Sequence, residues 1–72
     1  MTILDLDHDS EAVFTGSRDY LHAYRKLRSM GLHKGTRIRI KRIQGRNILL
    51  HIMDLGVELA IDRDLAGVME VS

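Results

Sequence analysis

Three sets of residues in this chain have side chains capable of chemistry. The first is a run of carboxylates at alternate positions, Asp5, Asp7, Asp9 and Glu11, with His8 among them. That spacing matches the opening of a calcium loop, which presents oxygen ligands at every second residue. Such a loop also needs glycine at its sixth place and glutamate at its twelfth. Those places hold Ser10 and Gly16, so the run reads as a solvated N-terminal loop. The second set is His8, His22, His33 and His51. None stands at a His-x-x-x-His or comparable spacing, and iron or zinc requires three or four ligands converging in space. His22 and His33 read as surface residues, and His51 as a half-buried strand residue with a hydrogen-bonded ring nitrogen. A site in which the fold brings His33 to another ligand stays open. The third set is basic: Lys34, Arg37, Arg39, Lys41, Arg42 and Arg46. On one strand face these would form a positive stripe, facing solvent, an acidic protein or an anionic inner leaflet. Nucleic acid would usually add stacking aromatics. The strand has none, and Phe14, Tyr20 and Tyr24 lie earlier, where they suit a core.

No catalytic constellation accompanies these sets. There is no cysteine nucleophile and no glycine-rich phosphate loop with lysine and Ser/Thr. Ser10, Ser17, Ser29 and Ser72 have no evident His-Asp partnership. A non-enzyme is expected.

Composition sets the scale of what can position these residues. Seventy-two residues make one small domain, residues 1–72. A chain of this size buries only about 60% of its unfolded surface, so its stability is marginal. With no cysteine it has neither disulfides nor thiolate metal sites to add. An apolar share of 44% is that of a globular domain. No apolar run approaches the roughly 20 residues of a membrane span, and the N-terminus is acidic without a signal-like apolar core. A soluble cytoplasmic protein is the expectation. The net charge of +1 predicts no strong overall attraction to nucleic acid or membrane.

The joint at residues 27–40 organises the rest. Leu27 and Met30 close an amphipathic helix, and Gly31 sits where a helix commonly ends in a left-handed residue. Leu32 can then fold back on the last turn. Gly35-Thr36 forms a second break, and residues 37–40 alternate with the strand period. Ahead of the joint, residues 12–15 predict a first strand ended by Gly16-Ser17, with Ser17 as N-cap and Asp19 in the first turn of a helix over residues 18–30. Tyr20, Leu21, Tyr24 and Leu27 hold its apolar face, while Arg25, Lys26 and Arg28 suit its C-terminal dipole. After the joint, Arg42-Ile43 breaks the alternation, marking a bulge or a strand end, and Gln44-Gly45-Arg46 turns the chain. Residues 47–53 are apolar on both faces and predict a central strand buried on both sides. Val57, Leu59 and Ile61 alternate with Glu58, Ala60 and Asp62 as a half-buried strand. A short helical turn at residues 62–66, stopped by Gly67, precedes a closing strand over residues 68–71. These elements predict a mainly β fold, a small partly open barrel with one α-helix inserted after the first strand. Closure would remove its strand edges.

The motif Leu27-x-x-Met30-Gly31-Leu32-x-x-Gly35-Thr36-x-Ile38-x-Ile40 resembles the core signature of the FeoA family. Gly56-Val57-Glu58-Leu59-Ala60-Ile61 is similar to the family's glycine-led strand, residues 66–71 to its final segment, and Ile3-Leu4-Asp5-Leu6 to its leucine-containing opening. Three departures stand out. Lys34 occupies a place where the family often has proline. Asp9-Ser10 stands where a glycine is common. Asp62 intervenes before Arg63 where an arginine often follows directly. The resemblance implies an SH3-like barrel and a small cytoplasmic accessory or regulatory protein of ferrous iron uptake. Its implied partner is FeoB, a membrane transporter with a cytoplasmic G-protein domain, through which it would lie peripheral to the inner membrane. No cofactor is implied beyond weak binding of Fe(II) or another divalent metal. A related barrel forms the C-terminal domain of iron-dependent repressors resembling DtxR, so a metal-sensing domain is the alternative.

The expected partner surface is Met30, Leu32, His33 and Lys34 at the helix end, with Arg37 and Arg39 on the adjacent strand. Met30 and Leu32 serve either as partly covered docking anchors or as ordinary core residues. Self-association through an unpaired strand edge is a third expectation.

Overall fold

The helix stop forms as the glycine predicts. A computed structural model describes residues 1–18 and 22–72. Helix α1 covers Ala23–Ser29 and ends at Gly31, whose φ is +95°. The Gly31 N–H donates to the Arg28 carbonyl (3.0 Å) and the Leu32 N–H to the Leu27 carbonyl (3.0 Å). This is the paired closure of a Schellman stop, and the buried Leu27 and Leu32 supply its apolar contact. The expected helix over residues 18–30 is therefore shorter on both sides among the described residues; its first-turn Asp19 and its face residues Tyr20 and Leu21 lie outside them.

Strand β1 runs Glu11–Ser17, past the predicted stop. Its first half pairs with β2 (Arg37–Gln44) and its second half with β5 (Met69–Val71), with a register shift between Phe14 and Gly16. Gly16 thus marks a bulge inside a strand, and Ser17 is a strand residue opposite Met69; the first turn it is expected to cap lies outside the described residues. The ladder to β5 outweighs the local stop signal because it satisfies backbone groups over the whole segment. β2 carries its own bulge between Ile40 and Arg42 and then continues to Gln44, where Gly45-Arg46 makes a two-residue hairpin loop into β3 (Asn47–Ile52). β4 (Val57–Asp62) follows, then the single-turn helix α2 (Arg63–Ala66), capped by Asp62, whose Oδ1 accepts the Leu65 N–H at 2.7 Å.

The five strands are antiparallel in the order β4-β3-β2-β1-β5. Phe14, Leu27, Leu32, Ile38, Ile40, Leu50 and Met69 fill one face of this curled sheet. The outer edge of β5 is covered by the N-terminus, where the Val71 N–H meets the Met1 carbonyl (2.9 Å) and Thr2 bridges Glu70. Among the described residues no strand lies beside the outer edge of β4, so the barrel is open there and closure does not remove that edge.

Two strand expectations change accordingly. β3 lies between two strands but is buried on one face: Ile48, Leu50 and Ile52 are covered, while Leu49 and His51 are half-exposed. Only Ile61 of β4 is fully covered, Leu59 is intermediate and Val57 is 48% exposed. Apolar alternation reports which face a side chain takes, not whether an element lies over that face.

Candidate docking surface

The helix stop delivers the chain into a tight turn. The Thr36 N–H donates to the His33 carbonyl (3.0 Å), and the Thr36 hydroxyl accepts the His33 N–H (3.1 Å). Gly35, third in this turn, has φ +95°, the positive value a type II turn requires. Lys34 occupies the second place. The turn is tied to β1 through the Gly35 N–H to the Phe14 carbonyl (2.8 Å), and the Lys34 side chain lies over Gly16. His33 and Lys34 are consequently held outward and exposed, and Met30 is half-buried. Leu32 is 0% exposed. Its place as a docking anchor is corrected to the core, because the Schellman stop folds it back on Leu27.

A neighbour not expected from sequence completes the apolar part of this surface. Leu55, in the β3–β4 turn, packs so closely on Gly31 that a Cβ there would lie 2.9 Å from Leu55 Cδ1. Leu55 is nevertheless 57% exposed, and Val57 two residues on is 48% exposed. Met30 and Leu55 thus flank Gly31 at the helix end, and Val57 follows two residues beyond Leu55, extending this apolar rim along the chain.

Most cations of the basic strand turn out to be paired with carboxylates. Arg37 grips Asp54 through Nε (3.1 Å) and Nη2 (3.0 Å), and its backbone N–H donates to the other carboxylate oxygen (2.9 Å). That backbone bond first, and the guanidinium after it, hold the Asp54 carboxyl below its ordinary value. Arg39 Nη2 meets Glu11 Oε2 at 2.6 Å, Lys41 pairs with Glu58 at 3.6 Å, and Arg46 with Asp64 at 3.1 Å. Arg18 pairs with Glu70 at 2.6 Å; its hydrogen bond lowers the Glu70 pKa and raises that of Arg18. Such exposed pairs stabilise the fold little, but they offset four of the stripe's six charges. The structure thus places Met30, His33 and Lys34 together at the helix end and sets Arg37 and Arg39 apart as paired residues on the outer sheet face.

Some members of the carboxylate and histidine sets have structural roles. Asp5 accepts the Thr2 N–H (2.8 Å), the Asp9 N–H meets the Ile40 carbonyl (2.8 Å), and His8 Nε2 accepts the Ile43 N–H (3.2 Å) beside the β2 bulge. Asp9 has φ +64°, which explains why glycine suits this place. His51 faces Arg39 across the ladder, with Arg39 Nε and His51 Nδ1 buried and without partners. Among the described residues no group of three His, Cys, Asp or Glu side chains is placed to hold a metal ion. No described helix is long and apolar enough to cross a membrane.

An open five-stranded antiparallel barrel with one main helix, displaying an apolar rim and a turn of outward polar residues, defines a small SH3-like domain. The chain belongs to the FeoA family, whose FeoA domain model matches residues 1–72. Among solved structures it is similar to a crystal structure of an iron uptake regulatory protein, FeoA, with 25% identity and a TM-score of 0.86, covering 100% of this chain and 93% of that one. It is also similar in fold to a FeoA-like protein from Clostridium acetobutylicum (23% identity, TM-score 0.87, covering 100% of this chain and 84% of that one). A FeoA protein from Chlorobium tepidum shares the fold as well (22% identity, TM-score 0.85, covering 99% of this chain and 68% of that one). No curated protein sequence matches the chain.

Proposed function

We propose that this protein is a non-catalytic accessory protein of ferrous iron uptake. It acts in the cytoplasm by docking on FeoB, the membrane transporter with a G-protein domain. Membership of the FeoA family over the whole chain and likeness to an iron uptake regulatory protein support the iron connection. The observation that carries the docking part is the apolar rim at the helix end: Leu55 and Val57 are about half exposed beside half-buried Met30, where a folded core would be expected to cover them. Apolar anchors ringed by polar residues are the anatomy of a protein interface. The test is retention of the full chain on the immobilised cytoplasmic part of FeoB, with and without guanine nucleotide. Retention in at least one nucleotide state is expected; absence from both contradicts the reading.

A further inference from the structure

Positive charge is distributed unevenly once the ion pairs are removed. Among the described residues, five of the eleven lysines and arginines are paired with carboxylates: Arg18, Arg37, Arg39, Lys41 and Arg46. Of the remaining six, Arg42 lies on β2 and Arg63 opens α2. The other four, Arg25, Lys26, Arg28 and Lys34, lie on α1 and the turn that follows it. Among Ala23–Ser29 there is no acidic residue. Arg25, Lys26 and Arg28 are all exposed, and Arg28 rests over the Tyr24 ring at 5.9 Å. The helix's own C-terminal carbonyls do little to offset this charge, because the Gly31 and Leu32 N–H groups already occupy those of Arg28 and Leu27.

We infer that the docking face is this cationic helix together with the rim of Met30, Leu55 and Val57, and that it fits an acidic surface on a partner protein. The inference rests on the proposed docking role and assigns its surface and chemistry. Charge complementarity selects an anionic partner. The class of partner follows from what α1 has left to offer. Its apolar side, Ala23 and Leu27, is sealed in the core, so the helix cannot lay an apolar face into a bilayer. Its aromatic, Tyr24, stacks on Phe14 with ring centroids 6.5 Å apart and is not free to receive a base. A protein surface can take both the cations and the apolar rim.

The experiment measures affinity of the full chain for the cytoplasmic part of FeoB, at about 50 and 300 mM salt. Three double variants are compared. R25E/K26E reverses the helix face, R25Q/K26Q neutralises it with good helix formers, and R42E/R63E makes the same change in net charge on β2 and α2. The expected result is a loss of about tenfold or more for R25E/K26E, a smaller loss for R25Q/K26Q, near-unchanged affinity for R42E/R63E, and weaker wild-type binding at high salt. Equal losses in both reversal variants, or no loss in either, overturn the inference while leaving the docking role intact. Failure of the wild type to bind overturns the docking role and this inference together. Wild-type chain that instead sediments with phosphatidylglycerol vesicles, and is released by R25E/K26E, reassigns the face to membrane and also overturns it.

Discussion

At Gly31 two constraints coincide. Its φ of +95° is a conformation L side chains rarely adopt, and Leu55 occupies the space a Cβ would enter. Gly35 has the same φ but open space around it. Alanine at Gly35 should therefore cost about 1 kcal/mol from backbone conformation alone, and alanine at Gly31 about 2 kcal/mol, because Leu55 must also shift. Urea unfolding of the two variants measures the difference; equal losses would show that Leu55 yields freely. Lys34 gives the opposite case. It sits second in a turn with glycine third, where proline is favoured, and its N–H makes no backbone hydrogen bond among the described residues. Lys34→Pro should raise stability by about 0.4–1 kcal/mol by narrowing the unfolded ensemble. A lower urea midpoint would contradict the turn assignment. Both glycines and the Leu32 fold-back were legible in sequence, because a helix stop is written in adjacent residues. Leu55 was not, since nothing local connects it to Gly31.

Among the elements, the Arg37–Asp54 clasp fastens the start of β2 to the β3–β4 turn. Asp54 and Glu70 both have folded pKa values depressed from their ordinary 3.8 and 4.5. A depressed carboxyl contributes stability that is full above its ordinary value and lost as pH falls through its folded value. Stability should accordingly fall on acidification below the ordinary carboxylate range. Asp54→Asn should lower stability at neutral pH and flatten part of that acid dependence; the effect is small because the pair is exposed. Urea midpoints at about pH 7 and pH 3 for wild type and variant measure this, and identical acid dependence would deny Asp54 its role. The same pairs explain why the basic stripe misled. Arg37, Arg39, Lys41 and Arg46 fall within the ten residues 37–46, which contain no acid, yet each meets a carboxylate from a distant segment. Strand periodicity assigned the faces of β2 correctly. It missed the extension of β1 and the exposure of β4, which depend on the neighbours a strand acquires.

For the whole molecule, the open side at β4 has a consequence for assembly. The Arg63 N–H bonds the Arg46 carbonyl at 2.9 Å, which fixes the parity of the β3–β4 ladder. The backbone groups of Glu58, Ala60 and Asp62 therefore point away from β3. Two copies pairing edge to edge with Ala60 in the centre would set Glu58 against Asp62, a like-charge contact that opposes pairing. Light scattering of the wild type should show monomer, and Glu58→Val/Ala60→Val should shift the distribution toward dimers. Wild-type dimer at micromolar concentration would contradict this account of the edge.

The central claim is that the helix end, not the basic strand, meets the partner. Amide chemical-shift mapping of the isotopically labelled chain on addition of the FeoB cytoplasmic part tests it most directly. Perturbations should concentrate at Arg25, Lys26, Met30, His33, Lys34 and Leu55. Perturbations confined to Arg37, Arg39 and Arg42 on the outer sheet face would contradict it.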